Sequence, residues 1–254
     1  MQDSISVIIP SWNRALYVKR AIKSALDQSF SPLEILVCDD GSTDNTFKIV
    51  KSFKDKRIKW IKGNHSGLPS VPRNRGIRQS QGNWLAFLDS DDTWLPEKLA
   101  LQIKIAKETK NKAIITNAFS SSKKLFWRRK LVKKKLKNIS FENLLVSNKI
   151  ICSSVLIHSS LIKTTIGFPE NRKLKAIEDY AFWLRIATQT NFAYIHKPLV
   201  IYNDNTDNSV RSEGYLWQQQ IQVFNNFNNW ANNQTRINSY YIKTVKENLA
   251  SLIK

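Results

Sequence analysis

Trp84-Leu85-Ala86-Phe87-Leu88-Asp89-Ser90-Asp91-Asp92 runs from five apolar residues straight into a cluster of aspartates. A short apolar run rich in aromatic side chains reads as a buried strand, so the acidic residues behind it stand at the mouth of a sheet. A strand that runs into a polar loop occurs twice more upstream, once with aspartates. A strand at Ile5 to Pro10 leads into Ser11-Trp12-Asn13-Arg14, and one at Leu33 to Asp39 leads into Asp40-Gly41-Ser42-Thr43-Asp44. Further strands are predicted at Ile58 to Lys62 and Ala113 to Asn117. Segments of helical period lie between them, at about Ala15 to Gln28, Asp44 to Phe53, Pro72 to Ser80 and Pro96 to Lys110. Such alternation predicts an α/β fold with a mainly parallel sheet flanked by helices, and ligands of such sheets sit beyond the carboxyl ends of the strands.

After Asn117 the alternation weakens. A strand is expected at Cys152 to His158, a helix at Glu178 to Gln189 and a strand at Phe192 to Tyr202. A helix from about Tyr215 to Trp230 puts Trp217, Ile221, Phe224, Phe227 and Trp230 on one face, opposite a solvated face rich in Asn and Gln. A final helix covers about Ser239 to Ile253, and no internal repeat is visible.

With 254 residues the chain suffices for one large domain or two small ones. Its net charge of +20 calls for an anionic partner: nucleic acid, acidic lipid or a phosphorylated substrate. Nine of those charges, from Lys123 to Lys137, form a run without acids, interleaved with Leu125, Phe126, Trp127, Leu131, Val132 and Leu136. That run reads either as a contact with anionic lipid headgroups or as a solvated insertion. Cys38 and Cys152 lie in apolar runs and are expected as reduced core thiols. Residues 1–4 lack the features of a signal peptide and no stretch is long enough to span a bilayer, so a cytoplasmic or peripheral protein is expected.

Asp89 and Asp91 offer hard oxygen ligands suited to Mg2+ or Mn2+, since close carboxylates repel unless a cation neutralises them. The alternative is an acidic turn in which Asp92 or Thr93 caps the helix entered at Pro96. In the second cluster a carboxylate could accept from a nucleobase or a ribose hydroxyl, or Ser42, Thr43 or Asp44 simply caps a helix. Arg73-Asn74-Arg75-Gly76 opens a helix that could face a diphosphate, or bears two exposed arginines. Glu178-Asp179 also opens a helix, where the dipole favours carboxylates whatever their function; as a general base, one of them would take a proton from an acceptor hydroxyl. His65, His158 and His196 are scattered and read as structural or surface residues.

Taken in order, Ile5-Ser-Val-Ile-Ile-Pro-Ser-Trp-Asn13, Asp39-Asp-Gly-Ser-Thr-Asp44, Arg73-Asn-x-Gly76, Leu88-Asp-Ser-Asp-Asp92 and Glu178-Asp-Tyr-x-x-Trp-x-x-Arg185 resemble glycosyltransferase family 2, inverting enzymes of GT-A fold. The resemblance runs from about Ile5 to Tyr202. It implies a single displacement in which an acceptor oxygen attacks the anomeric carbon of a UDP-sugar. By that likeness Asp91 binds Mn2+ or Mg2+ with help from Asp89, and Ser90 lies with them against the nucleotide sugar. Pro10, Trp12, Asn13 and Asp40 shape the nucleotide pocket, Arg73 approaches the diphosphate, Asp179 is the base and Glu178 orients a sugar. The implied division is a catalytic domain at 1–205 and a helical extension at 206–254. Within the domain, 1–117 binds the nucleotide sugar and 118–205, with the basic insertion 123–137, binds a glycan or lipid-linked acceptor. A place on the cytoplasmic face of the inner membrane, in bacterial polysaccharide or lipopolysaccharide synthesis, would follow.

One departure is visible. Where relatives carry Tyr-Arg-x-His, this chain has Tyr202-Asn203-Asp204-Asn205, with Asp204 and Asp207 as the substitutes for the missing histidine. Two rivals to the enzyme are a catalytically silent GT-A domain and a basic nucleic-acid-binding protein. No nucleic-acid module is recognisable and the strand ends are acidic, so no nucleic-acid partner is expected. A dinucleotide-binding dehydrogenase is excluded, because no Gly-x-Gly-x-x-Gly follows the first strand.

Overall fold

The computed structural model describes residues 3–120, 129–132, 136–203 and 216–253, with Arg129 described by its backbone alone. The first half alternates as the sequence predicts: β1 (Ile5–Ser11), α1 (Ala15–Leu26), β2 (Glu34–Asp39), α2 (Thr46–Ser52), β3 (Ile58–Ile61), α3 (Ser70–Gln79) and β4 (Trp84–Phe87). Then come β5 (Thr93–Trp94), α4 (Lys98–Thr109), β6 (Ala113–Ser120), β7 (Arg129–Lys130), β8 (Asn138–Ile139) and α5 (Phe141–Val146). The rest comprises β9 (Leu156–His158), α6 (Ile162–Thr165), α7 (Glu178–Ala187), β10 (Phe192–Tyr202), α8 (Leu216–Asn232) and α9 (Ser239–Ile253).

The strands join one mixed sheet in the order β3-β2-β1-β4-β9-β6-β10-β5, with β7 on β6 and β8 on β10. β1 pairs in parallel with β2 on one side and β4 on the other, so the direction of winding reverses between β1 and β4. Such a switch opens a crevice at the carboxyl ends, where Trp12 and Asp89 begin their loops. A departure from the predicted pattern lies next to it. The expected strand Cys152 to His158 is a 3-10 turn, Cys152–Ser154, followed by the short β9, which enters antiparallel between β4 and β6.

Alternate residues of the buried strands feed two cores. Val7, Ile9, Ile35, Val37, Trp84 and Ala86 face α1, α2 and α4, whereas Ile8, Leu36, Cys38, Leu85 and Phe87 face α3, α5, α7 and α8. Cys38 and Cys152 are free, buried thiols. α3 lies so close to the sheet that a Cβ on Gly76 would stand 2.7 Å from Ile8 and 2.8 Å from the Cys38 sulfur. A larger residue there would push α3, and Arg73 with it, off the sheet.

α8 packs in the second of these cores beside Phe141 and Phe182 through Phe224, Phe227 and Trp230 of the predicted face, whereas the face turns away from Trp217 toward Gln220 and Val223. Its buried residues are Gln220, Val223, Phe224, Phe227, Trp230 and Ala231, while Trp217 is 47% exposed. The polar face is not simply solvated either. Gln220 donates to the carbonyls of Leu145 and Val146, and the Asn226 side-chain oxygen accepts from Arg185. A buried amide tying down the end of α5 outweighs the cost of removing it from water, a signal that hydrophobic spacing does not carry.

Of the basic run, Lys123, Lys124, Arg128 and Lys133 to Lys135 lie outside the described residues, as do Asp204, Asn205 and Asp207. The described part is an edge: β7 pairs antiparallel with β6, and Asn117 exchanges side-chain hydrogen bonds with the backbone of Val132. Among the described residues no helix is long and apolar enough to cross a membrane.

Candidate functional site

The crevice at the switch point is a cleft of about 240 Å³. Pro10, Ser11 and Trp12 of β1 and its loop, Asp40 after β2, Arg73 of α3, and Asp89, Ser90 and Asp91 after β4 all line it. Of the candidates drawn from the sequence, only Asn13, Glu178 and Asp179 are off its wall. Residues outside that candidate set also line it, among them Arg14, His65, Lys175, Tyr202 and Asn203.

At one end the indole of Trp12 stacks on the His65 ring at 4.4 Å. Asp40, buried at the end of β2, holds His65 in place. Its carboxylate accepts from the Ser66 and Gly67 backbone N–H groups and the Ser66 hydroxyl, and its carbonyl lies 3.0 Å from His65 Nδ1. His65, although exposed, is therefore part of the cleft wall; nothing in the residues around it signals this, because its partner Asp40 is 25 positions away.

Asn13 does different work. Its backbone adopts φ 51°, the left-handed region that asparagine tolerates. Its side-chain oxygen accepts from the backbone N–H groups of Thr43 and Asp44, which braces the β1 loop on the β2 loop. The N-cap position of α2 is Asn45 and not one of the three expected residues, but Asp44 beside it holds the helix start. It accepts from Thr46 at the start of α2 and from Ala15 at the start of α1. Asp39 accepts from Gly41 and Ser42 and closes the turn.

At the other end, Arg73 is buried and charged on both sides. One terminal nitrogen donates to Asp89 at 2.7 Å and the other to Glu178 at 2.6 Å, with the guanidinium over the Phe168 ring. Phe168 in turn packs on Phe87, Phe182 and Trp183, so an aromatic wall fixes the arginine from below. Neighbouring Asn74 binds the Phe168 backbone with both ends of its amide. The reading of two exposed arginines thus fails for Arg73: the pair Asp89 and Glu178, supplied by distant segments, compensates for burying it.

Asp92 does not cap α4. It is fully buried, accepts from the Asn203 backbone and from Ser153 Oγ, and so links the aspartate loop to the end of β10. Ser153 also accepts from the Asp89 N–H, which makes the 3-10 turn before β9 the floor of the cluster. Crowding shows in the acidities. Burial and the Asp89 charge raise the Asp91 carboxyl, and burial with Asp89 and Asp91 raises Asp92 well above the usual carboxylate range. Burial and the charge of Glu178 push Asp179 up to about 7, against the opposing pull of Arg73.

The donor set fits a divalent cation of the hard kind. Asp89 and Asp91 present two carboxylates to the cleft under like-charge pressure that a cation relieves. Among the described residues no group of three or more His, Cys, Asp and Glu converges. This suits Mg2+ or Mn2+, which are held by one or two carboxylates with waters and substrate phosphates completing the shell.

Comparisons with known proteins place this geometry. Residues 6–164 match the family model described as Glycosyl transferase family 2. Over 108 residues, 42% of this chain and 43% of the relative, the sequence is 37% identical to the Escherichia coli UDP-Glc:alpha-D-GlcNAc-diphosphoundecaprenol beta-1,3-glucosyltransferase WfaP. The matched stretches span less than half the length of the curated relatives, from 15% of a Rickettsia bellii glycosyltransferase to 43% of WfaP. In fold, S. aureus TarS 1-349 in complex with UDP-GlcNAc is similar with TM-score 0.76 at 22% identity, over 98% of this chain and 71% of that one. The mannosyltransferase PcManGT from Pyrobaculum calidifontis, in complex with GDP-Man and Mn2+, is similar with TM-score 0.60 at 15% identity, over 100% of this chain and 76% of that one.

Proposed function

Because the chain belongs to glycosyl transferase family 2 and has the GT-A fold, we propose that it transfers a sugar from a UDP-sugar to a hydroxyl of a glycan or lipid-linked saccharide, with inversion in a single displacement. The observation that carries this reading is Arg73, whose one guanidinium joins the aspartate cluster at Asp89 to the helix start at Glu178, 105 positions from Arg73 itself.

The nucleobase lies at the Trp12–His65 stack, where Pro10 forms the wall and Asp40 acts by holding His65 and the turn beneath it. Asn13 contributes indirectly, through the brace between the two loops. A divalent cation at Asp91 and Asp89 would bind the donor diphosphate and draw off the negative charge that builds as it leaves. Arg73 adds fixed positive charge beside Asp89. Glu178 keeps one oxygen on Arg73 while the other, buried, has no hydrogen-bond partner, which leaves an acceptor for a sugar hydroxyl. Asp179 takes the proton of the attacking hydroxyl. Its carboxyl near 7 suits a base that must be ionised at neutral pH and still hold a proton well.

The likeness to WfaP supports a lipid-linked acceptor and bacterial surface-glycan synthesis, and the basic run 123–137 supports a peripheral contact with anionic membrane. A panel of UDP-sugars incubated with the protein and Mn2+ tests the proposal without an acceptor. Metal-dependent release of UDP from one sugar is expected. UDP binding with no turnover across the panel and a set of acceptors points instead to a silent GT-A domain, and salt-sensitive binding to DNA or RNA without nucleotide affinity overturns the reading.

A further inference from the structure

We propose that Lys175 is an additional catalytic contact, whose ammonium binds the diphosphate of the donor and stays on it as it leaves. The inference rests on the nucleotide-sugar reading of the cleft. Lys175 lines the same cleft as Asp89, Asp91 and Trp12, yet it comes from the segment just before the base helix.

The backbone aims it there. Leu174, Lys175, Ala176 and Ile177 form a β-turn closed by the Ile177 N–H donating to the Leu174 carbonyl at 2.9 Å. Lys175 has φ −54° and ψ 127°, and Ala176 has φ 67°. These are the angles of a type II turn, whose third position ordinarily takes glycine. An alanine there is strained, and the surrounding structure must impose the shape. The two flanking residues, Leu174 and Ile177, are buried in the core and anchor the turn, so that Lys175 projects from a fixed base.

Charge assigns the ligand. The cleft wall carries Arg14, Arg73 and Lys175 against Asp40, Asp89 and Asp91. Arg73 already answers Asp89 and Glu178, and Arg14 acts on Asp91. Among the described residues Lys175 has no carboxylate partner. In the transfer, the bond between the anomeric carbon and the diphosphate oxygen breaks with its electron pair passing to that oxygen. The bond to the acceptor oxygen forms, and its proton goes to Asp179. Lys175 exchanges no proton; it meets the growing anion, where a charge-assisted contact strengthens between ground and transition state.

Calorimetric binding of UDP, UMP and uridine in the presence of Mn2+ tests this, together with the rate of transfer. Lys175→Ala should bind UDP roughly tenfold more weakly and UMP less affected, leave uridine binding unchanged, and lower kcat. Lys175→Arg should recover most of the UDP affinity. Lys173→Ala removes an equal charge from the same loop but off the cleft wall, and should match the wild type. If wild type binds UDP and Lys175→Ala binds UDP and uridine in the wild-type ratio, or loses both alike, Lys175 does not contact the diphosphate. If wild type binds no nucleoside diphosphate at all, it is the reading of the cleft that fails.

Discussion

The loop after β2 and the loop after β4 look alike on paper: each follows a buried strand and each carries three aspartates. In the fold they differ. In the first, the acceptor oxygens of Asp39, Asp40 and Asp44 are taken up by nearby backbone N–H groups, from Gly41, Ser66, Gly67, Thr46 and Ala15. In the second, Asp89 leans on an arginine, while burial and the neighbouring carboxylates make Asp91 and Asp92 hold their protons more tightly than an ordinary carboxyl. One loop is relaxed and shapes a wall; the other is held under like charge, the condition that the proposed cation would relieve. Stability and catalysis should divide along the same line.

The largest expected effect lies on the charged side. Asp179→Asn should keep UDP binding and lower the transfer rate by roughly 10²- to 10⁴-fold, measured with saturating donor and acceptor. In the wild type kcat/KM should climb with pH through about 7, as the Asp179 carboxyl gives up its proton, and the variant should lose that limb. Normal transfer by Asp179→Asn would break the assignment of the base. Asp91→Ala should weaken Mn2+-dependent UDP binding on the order of 100-fold with little change in melting temperature; metal-independent binding at wild-type strength would count against Asp91 as ligand.

On the relaxed side the losses should appear in unfolding. Asn13→Ala removes the acceptor for two backbone N–H groups and leaves a left-handed backbone without the residue that tolerates it. About 1–3 kcal/mol of stability should go, read by urea denaturation. Asp44→Ala should cost about 1 kcal/mol and leave the rate intact. A rate loss without destabilisation in either variant would mean that the first loop touches the reacting groups.

The smallest effect is expected in α4, away from both loops. Lys98 is fully buried, with only Gln102 as hydrogen-bond partner and the Trp94 ring at 4.0 Å. Burial drives its ammonium well below the usual lysine range. The folded state therefore binds fewer protons here than the unfolded chain, and stability rises with pH toward the unfolded value. Lys98→Met should be neutral or stabilising by about 1 kcal/mol and should flatten that rise.

The sequence made the parallel half legible because each strand there is a continuous apolar run that ends in polar residues, as Trp84 to Asp92 shows. It also isolated most of the cleft, since Pro10, Trp12, Asp40, Arg73 and the aspartates sit at strand ends or a helix start. Three-residue β9 was too short to announce its antiparallel direction. His65 and Lys175 reach the cleft through contacts made in space, to Trp12 and through a turn, and neither has a neighbour in sequence that betrays it. Gln220 misled for the opposite reason: it is polar, and only a pair of carbonyls at the end of α5 makes it a core residue.

The shared guanidinium of Arg73 has a consequence for how this site can vary. On the proposed reading Asp89 serves the donor and Glu178 a sugar, and both are neutralised by the same side chain. Replacing Asp89 hands the whole positive charge to Glu178, and replacing Glu178 hands it to Asp89. Substitutions at the two positions should then be strongly epistatic, with a double variant more impaired than the product of the singles, because it leaves the buried guanidinium without a carboxylate. Specificity for donor and for acceptor would be inherited as one trait, and an engineer seeking to change either would do best to move outward, beyond the reach of that one side chain.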